Sequence, residues 1–312
     1  MNIRNEVSLI KDQIISWRRY FHEYPELSFK EFNTAEKINS ELKSMGLKPK
    51  TKVGKTGVTV DLKFGEGPVI GFRADMDALP IQETSGLPFT SKNDGVMHAC
   101  GHDGHIAMLL GTAKIMSQKN NQYQGTIRFI FQPAEEGAGG ARYMIEDGCL
   151  DGLDEIYGIH VWNYQPFGEV GIKSGPVMAS ADMFDIKIKG IGGHGAAPQG
   201  TVDAIIVTSH LIQALQTIVS RNTNPLDSTV VSIGKINGGH NFNIIADEVN
   251  LSGTTRAYSE QNRKLIKSRM KEIIAGVEKM YNAEIVFNYT DGYPPTINHK
   301  KQSENVLEAA KK

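Results

Sequence analysis

Two periodicities of hydrophobic residues alternate along the first half of the chain. Helical spacing runs through the N-terminal segment, "FKEFNTAEKINSELKSMG", "GHIAMLLGTAKIM" and "GGARYMIEDG", whereas short apolar runs predict strands in "GVTVDLKFG", "PVIGFRAD", "GTIRFIFQP" and "EIYGIHVW". Such alternation is typical of an α/β domain with a largely parallel sheet and flanking helices. Ligands of these sheets bind beyond the carboxyl ends of the strands.

The pattern changes near residue 180. Strand patterns in "MFDIKIKG", "TVVSIGKING", "NIIADEVNLSGTTRAY" and "EIVFNYTDG" are interrupted by two helical patterns, the apolar "TVDAIIVTSHLIQALQTIV" and the charged "EQNRKLIKSRMKEIIAGVEKMY". This order predicts a smaller α+β unit whose sheet carries helices on one face.

Composition narrows the classes of function. The 312 residues suffice for about two domains. A net charge of -1 provides neither a basic surface for nucleic acid nor a polybasic membrane anchor. No segment approaches the roughly 20 apolar residues of a membrane span, and the chain start is typical of an amphipathic helix rather than a signal peptide. With only two cysteines, we expect a cytoplasmic protein without a disulfide framework.

Polar residues follow the predicted strands of the first half. Asp75 and Asp77 come after "VIGFRA", Glu135 and Glu136 come after "IRFIFQPA", and His160 ends "EIYGI". Because the carboxyl ends of parallel strands share one edge of a sheet, these side chains are expected to converge.

The segment "VMHACGHDGH", residues 96–105, precedes a predicted helix and offers metal ligands. Cys100 and His102 are two positions apart, so a loop can turn both toward one centre, and Gly101 relieves crowding between them. Glu136 and His160 can complete the ligand set. Three or four such ligands with one free position are typical of a catalytic zinc-like site.

Two other interpretations of this segment stay open. His98 and His105 are histidines of the surface, of a hydrogen-bonded core, or of the support around a metal site. Alternatively, Cys100 with one of these histidines could form a metal-free thiol hydrolase, although that leaves the glutamate and histidine at the strand ends without a role. Cys149 is expected to be a small buried residue.

The segment "QPAEEGAGGA" places two carboxylates side by side. In a hydrolase one could bind metal while the other accepts a proton from water. Adjacent glutamates are also common on solvated surfaces, but the apolar run before this pair favours the chemical interpretation.

Three residues of the second half could act on a substrate. His194 lies on the glycine loop "GGHGAAP", where turn chemistry alone accounts for the glycines, or where the imidazole could donate to a developing oxyanion. Asn243 and Arg256 could hold a carboxylate, the arginine through two parallel charged hydrogen bonds.

Five ordered motifs together resemble one enzyme family. "FRADMDALPIQE", "MHACGHDGH", "FQPAEEGAGGARYMIEDG", "GIHVW" and "GGHGAAP" are similar to the metal-dependent amidohydrolases that include hippurate hydrolases, N-acyl-amino-acid deacylases, N-acetyldiaminopimelate deacetylases and plant indole-acetyl-amino-acid hydrolases. The resemblance implies a catalytic domain over residues 1–180, a lid or dimerisation domain over 181–292, and the start of a return to the catalytic domain over 293–312.

The resemblance also implies a metal centre with two divalent ions. Cys100 would bridge the ions, His102 and His160 would bind one, and Glu136 would bind the other. Asp77 would be the carboxylate that orients a ligand. Zinc or manganese is expected, with cobalt or nickel as alternatives.

The remaining roles implied by the resemblance concern the substrate, a small N-acyl amino acid. Glu135 would be the general base and would return its proton to the leaving nitrogen. His194 would reach the active site of a second subunit in a homodimer formed through the lid, and Asn243 and Arg256 would hold the substrate carboxylate.

The sequence departs from the family pattern in two places. Ala246 stands where proline is usual, which affects local loop rigidity. The chain stops at "ENVLEAAKK", within a predicted helix, whereas related proteins return to the catalytic sheet and supply a final histidine ligand; His299 in "PPTINHK" does not match that ligand. We therefore expect the C-terminal part of the catalytic domain to be missing, with an inactive fragment or non-catalytic remnant as the alternative function.

Overall fold

The computed structural model describes residues 3–119, 123–137 and 139–311. The chain divides into two compact units, Met1–Glu169 and Val170–Lys312. No helix within the described residues is long and apolar enough to cross a membrane. The catalytic and lid roles of segments 1–180, 181–292 and 293–312 stay predictions.

The described residues of the first unit form five helices and five strands. The helices are α1 (Ile3–Leu9), α2 (Lys11–Glu23), α3 (Phe32–Ser44), α4 (His102–Ser117) and α5 (Gly140–Glu146). The strands are β1 (Lys50–Val53), β2 (Gly57–Lys63), β3 (Val69–Asp75), β4 (Thr126–Gln132) and β5 (Glu155–Gly158).

The strands of this unit form one sheet in the order β1-β2-β4-β3-β5. The pairs β3–β4 and β3–β5 are parallel, but β1–β2 and β2–β4 are antiparallel. The prediction of a largely parallel sheet is therefore wrong, and the sheet is mixed. The segment 64–68 between β2 and β3 is far shorter than the dozen or more residues that a parallel crossover needs, so these strands run in opposite directions with β4 between them.

Hydrophobic burial fixes the sheet against the helices. The core contains fully buried aliphatic and aromatic side chains from α2, α3, α4 and β4, among them Phe21, Leu42, Leu110 and Phe129. Each such side chain contributes about 1.5–3 kcal/mol relative to an exposed one. Helix α4 is buried along most of its length, so its first residues are held rigidly at the sheet edge.

The described residues of the second unit form eight strands and three α-helices, with a short 3-10 helix at Pro198–Gly200 and a π-helical turn at Ile218–Asn222. The strands are β6 (Gly175–Met178), β7 (Ala181–Lys189), β8 (Gly193–His194), β9 (Thr229–Gly238), β10 (Ile244–Ile245), β11 (Glu248–Ala257), β12 (Glu284–Tyr293) and β13 (Thr296–Asn298). The helices are α6 (Ala204–Thr217), α7 (Glu260–Tyr281) and α8 (Lys300–Ala310).

The main sheet of this unit is antiparallel, in the order β12-β7-β11-β9. Side chains of β7 alternate between buried and exposed, and Phe184, Ile186 and Ile188 share a core with α6 and α7. The segment "NIIADEVNLSGTTRAY", expected to be one strand, is two, because β10 pairs with β8 while β11 pairs with β7 and β9.

A buried ion pair supports this second sheet. The Asp182 carboxylate, which is fully buried, accepts hydrogen bonds from Arg263 Nη2 at 2.6 Å and Nε at 2.9 Å. The Gly292 N–H and the Tyr289 hydroxyl donate to it at 2.8 and 3.2 Å. Burial acts to raise the pKa of Asp182, but these hydrogen bonds outweigh burial and hold the pKa below its usual range.

Candidate metal centre and active site

The loop that carries Cys100 and His102 turns sharply into α4. Gly101 has φ = +85°, in the left-handed region that favours glycine. A Cβ atom at this position would lie 2.4 Å from Val161 Cγ2. Glycine is therefore required by both backbone conformation and space, and it lets the flanking thiol and imidazole approach one centre.

His102 is fully buried and oriented by one hydrogen bond. Its Nδ1 donates to the Asp77 main-chain oxygen at 2.8 Å, so Nε2 is the atom available to a ligand. Among the described residues, Nε2 has no hydrogen-bond partner. Burial lowers the pKa of His102, but the interactions with Asp77, Cys100 and Asp75 raise it to about 11.

Asp77 connects this histidine to the two glutamates. Its carboxylate is buried and accepts hydrogen bonds from Ser28 Oγ at 2.6 Å and from the N–H groups of Glu135 and Glu136 at 2.9 and 3.0 Å. Burial opposes ionisation, yet the hydrogen bonds keep the pKa of Asp77 below its usual range. Asp77 therefore fixes the His102 ring through its main-chain oxygen and the adjacent glutamate backbone through its carboxylate.

The two glutamates differ in their surroundings. Glu136 Oε1 is buried without a hydrogen-bond partner among the described residues, and it lies 3.8 Å from His102 Nε2. Burial, together with the charges of Asp75 and Glu136, raises the pKa of Glu135 above its usual range. The carboxylates of both glutamates lie close enough to the His102 imidazole to share a metal ion.

His160 follows β5 and contacts the thiol. Its Nδ1 donates to the Val161 oxygen at 2.6 Å, and its Nε2 lies 3.4 Å from Cys100 Sγ. Burial lowers the pKa of His160, which favours the neutral ring that binds metals. The Cys100, His102 and His160 ligand atoms all lie within 4.8 Å of one another, so the structure brings together the four predicted metal ligands around His102.

His105 is committed to other partners. Its Nδ1 lies 2.6 Å from Asp75 Oδ1, and its Nε2 accepts the Val161 N–H at 2.9 Å. With both nitrogens engaged, His105 orients the segment that follows His160 and has no nitrogen left for Cys100. His98 is buried with both ring nitrogens unpaired among the described residues, and burial lowers its pKa to about 4.

A second buried network anchors the start of α4. His22 on α2 contacts Asp103 Oδ2 through Nδ1 at 2.7 Å and Glu83 Oε1 through Nε2 at 3.1 Å. The hydrogen bond to Asp103 is the largest of the effects that raise the pKa of His22. Because carboxylates only accept, these two contacts favour an imidazolium. Sequence analysis missed His22, since its partners lie 61 and 81 residues away.

The second unit holds the other predicted residues. His194 and Asn243 lie together, because β8 pairs with β10 and the Gly195 N–H donates to the Asn243 oxygen at 2.8 Å. The Ala196 N–H donates to His194 Nδ1 at 3.1 Å, which leaves the proton on Nε2. Both side chains are exposed.

Arg256 lies on β11 and is half-buried. Its guanidinium donates to Thr254 Oγ1 and, at 2.9 Å, to the Thr255 oxygen. Among the described residues, no hydrogen bond joins it to His194 or Asn243. The structure therefore brings together His194, predicted to be catalytic, and Asn243, predicted to bind substrate, and shows no hydrogen bond from Arg256 to either among the described residues.

Several known proteins are similar to this chain. An N-acyl-L-amino acid amidohydrolase from Geobacillus stearothermophilus is 45% identical over 95% of this chain and 81% of its own length. An N-acetyl-L-cysteine deacetylase from Bacillus subtilis is 44% identical over 98% of this chain and 74% of its own length. A crystal structure from Bacillus subtilis, described as a dinuclear metal binding peptidase from the M20 family, superposes with a TM-score of 0.84 at 38% identity, covering 97% of this chain and 80% of that protein.

These matches test two predictions. The expected missing C-terminal part of the catalytic domain is not confirmed, since the matched regions include nearly the whole chain. The model of Peptidase family M20/M25/M40 matches residues 71–312. The resemblance inferred from the five motifs is thereby confirmed, and the chain belongs to Peptidase family M20/M25/M40.

Proposed function

We propose that this chain is a metal-dependent amidohydrolase that cleaves the amide bond of N-acyl amino acids to a carboxylate and a free amino acid. The observation that carries the proposal is a pair of buried atoms, His102 Nε2 and Glu136 Oε1, which lie 3.8 Å apart and have no hydrogen-bond partner in the part of the chain that the structure describes. A buried polar atom without a hydrogen-bond partner costs about 1–3 kcal/mol, and divalent cations bound at this centre would remove that cost for both atoms. The amide-hydrolysing relatives support the reaction class.

The proposed metal centre holds two divalent ions, zinc or manganese, with cobalt or nickel as alternatives. Cys100 would contribute its thiolate to both ions, His102 and His160 would hold one, and Glu136 would hold the other. The mixed thiolate, imidazole and carboxylate donors fit such ions. When bound, the ions polarise the acyl carbonyl and lower the pKa of a water molecule.

Glu135 is the proposed general base. Its raised pKa lets the carboxylate accept a proton from the attacking water and then donate it to the leaving nitrogen. Asp77 keeps this carboxylate in place through the two backbone N–H groups of the glutamate pair.

The second unit supplies the proposed substrate contacts. The His194 Nε2–H donates to the developing oxyanion in the active site of a second subunit, while Asn243 and Arg256 hold the substrate carboxylate. This arrangement requires a homodimer formed through the second unit, which stays a prediction, as does the cytoplasmic location.

The decisive experiment combines metal analysis with an assay of amine release. Purified protein is freed of metal with a chelator, reloaded with zinc or manganese, and supplied with N-acetyl amino acids and hippurate. We expect up to two bound ions per chain, hydrolysis only after reloading, and fewer bound ions in Cys100→Ser than in the matched control Cys149→Ala.

Two outcomes would contradict the proposal. Hydrolysis that persists without metal and stops on alkylation of Cys100 would indicate a thiol hydrolase. Binding of less than one ion per chain, with no amide hydrolysed after reloading, would indicate a non-catalytic protein.

A further inference from the structure

Ala134, directly before the glutamate pair, has an unusual backbone conformation. Its φ is +50°, in the left-handed region, although it is not glycine. A Cβ atom is disfavoured there, so neighbouring contacts must hold the residue in place. Ala134 is fully buried, and the direction in which the chain leaves it determines where Glu135 and Glu136 point.

Glu31, at the start of α3, supplies one of these contacts. Its side chain is fully buried, and Oε1 accepts the Ala134 N–H at 2.8 Å. Oε2 accepts the Thr56 hydroxyl at 2.6 Å. Both oxygens face residues of the protein interior, so Glu31 has no role as a metal ligand in this arrangement.

Three consecutive backbone N–H groups therefore donate hydrogen bonds to two buried carboxylates. The N–H of Ala134 donates to Glu31, and the N–H groups of Glu135 and Glu136 donate to Asp77. Burial raises the pKa of Glu31, against the opposing effect of the hydrogen bonds from Thr56 and Ala134. A buried carboxylate is costly to retain unless its hydrogen bonds are made, which favours a specific role over simple packing.

We propose that Glu31 is a positioning residue that holds Ala134 in its left-handed conformation and thereby aims the Glu135 and Glu136 carboxylates at the metal centre. This inference rests on the proposed function for its kinetic consequences. Its structural consequences, the affinity for zinc and the protection of the 134–136 amides, do not depend on any substrate.

The experiment compares four variants with the metal-loaded wild-type protein. Glu31→Met removes the acceptor and keeps the side-chain length. Glu31→Gln keeps both contacts, since its amide oxygen accepts from Ala134 and its NH₂ group donates to the Thr56 oxygen. Glu31→Met with Ala134→Gly removes the strain that Glu31 is proposed to hold, and Glu36→Met, an exposed site on the same helix, is the matched control.

For Glu31→Met we expect kcat for an N-acetyl amino acid to fall about 10–100-fold, the range for residues that orient metal ligands, with KM within about twofold. Zinc affinity by equilibrium dialysis should fall, and the peptide containing residues 134–136 should exchange its amide hydrogens faster. Glu31→Gln and Glu36→Met should resemble wild type. Glycine adopts positive φ readily, so Ala134→Gly should restore a large part of the loss.

The proposal would be overturned if Glu31→Met lowered the melting temperature but left kcat, zinc affinity and amide exchange at residues 134–136 unchanged. It would also be overturned if adding Ala134→Gly restored neither kcat nor zinc affinity. If Glu31→Met does not fold, Glu31→Asp is used, whose shorter carboxylate must weaken at least one contact; unchanged exchange at 134–136 would then overturn the proposal. If the wild type hydrolyses no N-acyl amino acid, the proposed function fails, while zinc affinity and amide exchange still decide the role of Glu31.

Discussion

The candidate residues of the two units differ in how the protein holds them. Asp77 and His102 in the first unit are almost fully buried and are fixed by hydrogen bonds from distant parts of the chain. His194 and Asn243 in the second unit are exposed on a pair of short strands and their loops. The proposed ligand His102 and the carboxylate of Asp77 thus depend on the fold around them, whereas the exposed pair can be altered with little effect on folding. Substitutions in the first unit should change metal binding or the proton transfer that depends on it, and those in the second unit should change catalysis alone.

The largest effect is expected for Glu135→Gln. If Glu135 is the general base, as proposed, kcat should fall about 10²–10⁴-fold, while the metal content stays that of wild type. Steady-state kinetics and metal analysis check this on the same sample. Glu136→Gln is the comparison, because it should lose metal as well as activity; equal metal loss in both variants would contradict the assignment of separate roles.

The next effect is expected for His194→Asn. Loss of a donor to the oxyanion should lower kcat about 10²–10³-fold, with metal content and melting temperature unchanged. His240→Asn is a suitable control, since His240 is also exposed in the second unit and pairs with Asp247. If His194→Asn also lost metal, the proposal that only first-unit residues affect metal binding would be wrong.

Asp77→Asn should have a more moderate effect. The two glutamate N–H groups donate to different oxygens of Asp77, and asparagine replaces one of these oxygens with an NH₂ group that cannot accept. Zinc affinity should fall about 10–100-fold, measured by competition with a coloured chelator. The exposed Asp61, which pairs with Arg128, provides the control Asp61→Asn; equal losses in both variants would argue against a specific role for Asp77.

The smallest effect concerns the stability of the second unit in acid. The folded-state pKa of Asp182 is held below its usual value. Its ionised form therefore adds to the free energy of unfolding, fully above the unfolded pKa of about 3.9, and this stabilisation is lost as pH falls through the folded pKa. Thermal unfolding followed from pH 7 to pH 2 should show a smaller acid-induced decrease for Asp182→Asn than for wild type. Asp185→Asn, exposed on the same strand, should retain the wild-type decrease, and an identical pH profile for Asp182→Asn would refute the inferred linkage.

Local pattern predicted the elements where one periodicity continued without interruption. The helix α7 matches the predicted segment from Glu260 to Tyr281, because its apolar stripe and polar face are continuous. The strand predicted in "EIYGIHVW" ends at Gly158, so His160 lies in the loop beyond it. The mixed direction of the first sheet was overlooked, although the short segment 64–68 was already a signal against a parallel crossover.

The residues of the candidate metal site also divide into those that local sequence indicates and those that it does not. Cys100 and His102 are recognisable because the chain places ligand types around a glycine within three positions. Ser28 and Glu31 were not recognisable, since their partners lie 49 and 103 residues away along the chain. A serine or glutamate near a helix start carries no local sign of such a partner.

The sequence by itself determined the family, the candidate types of ligand and most of the helices and strands, because motif spacing and hydrophobic periodicity are local properties of a chain. Only the tertiary structure decided that, among the described residues, His102 Nε2 and Glu136 Oε1 have no hydrogen-bond partner, that His105 contacts Asp75, and that Glu31 accepts the backbone N–H before the glutamate pair. The physical reason is that burial and hydrogen-bond pairing depend on residues far apart in sequence, which come together only when the core packs.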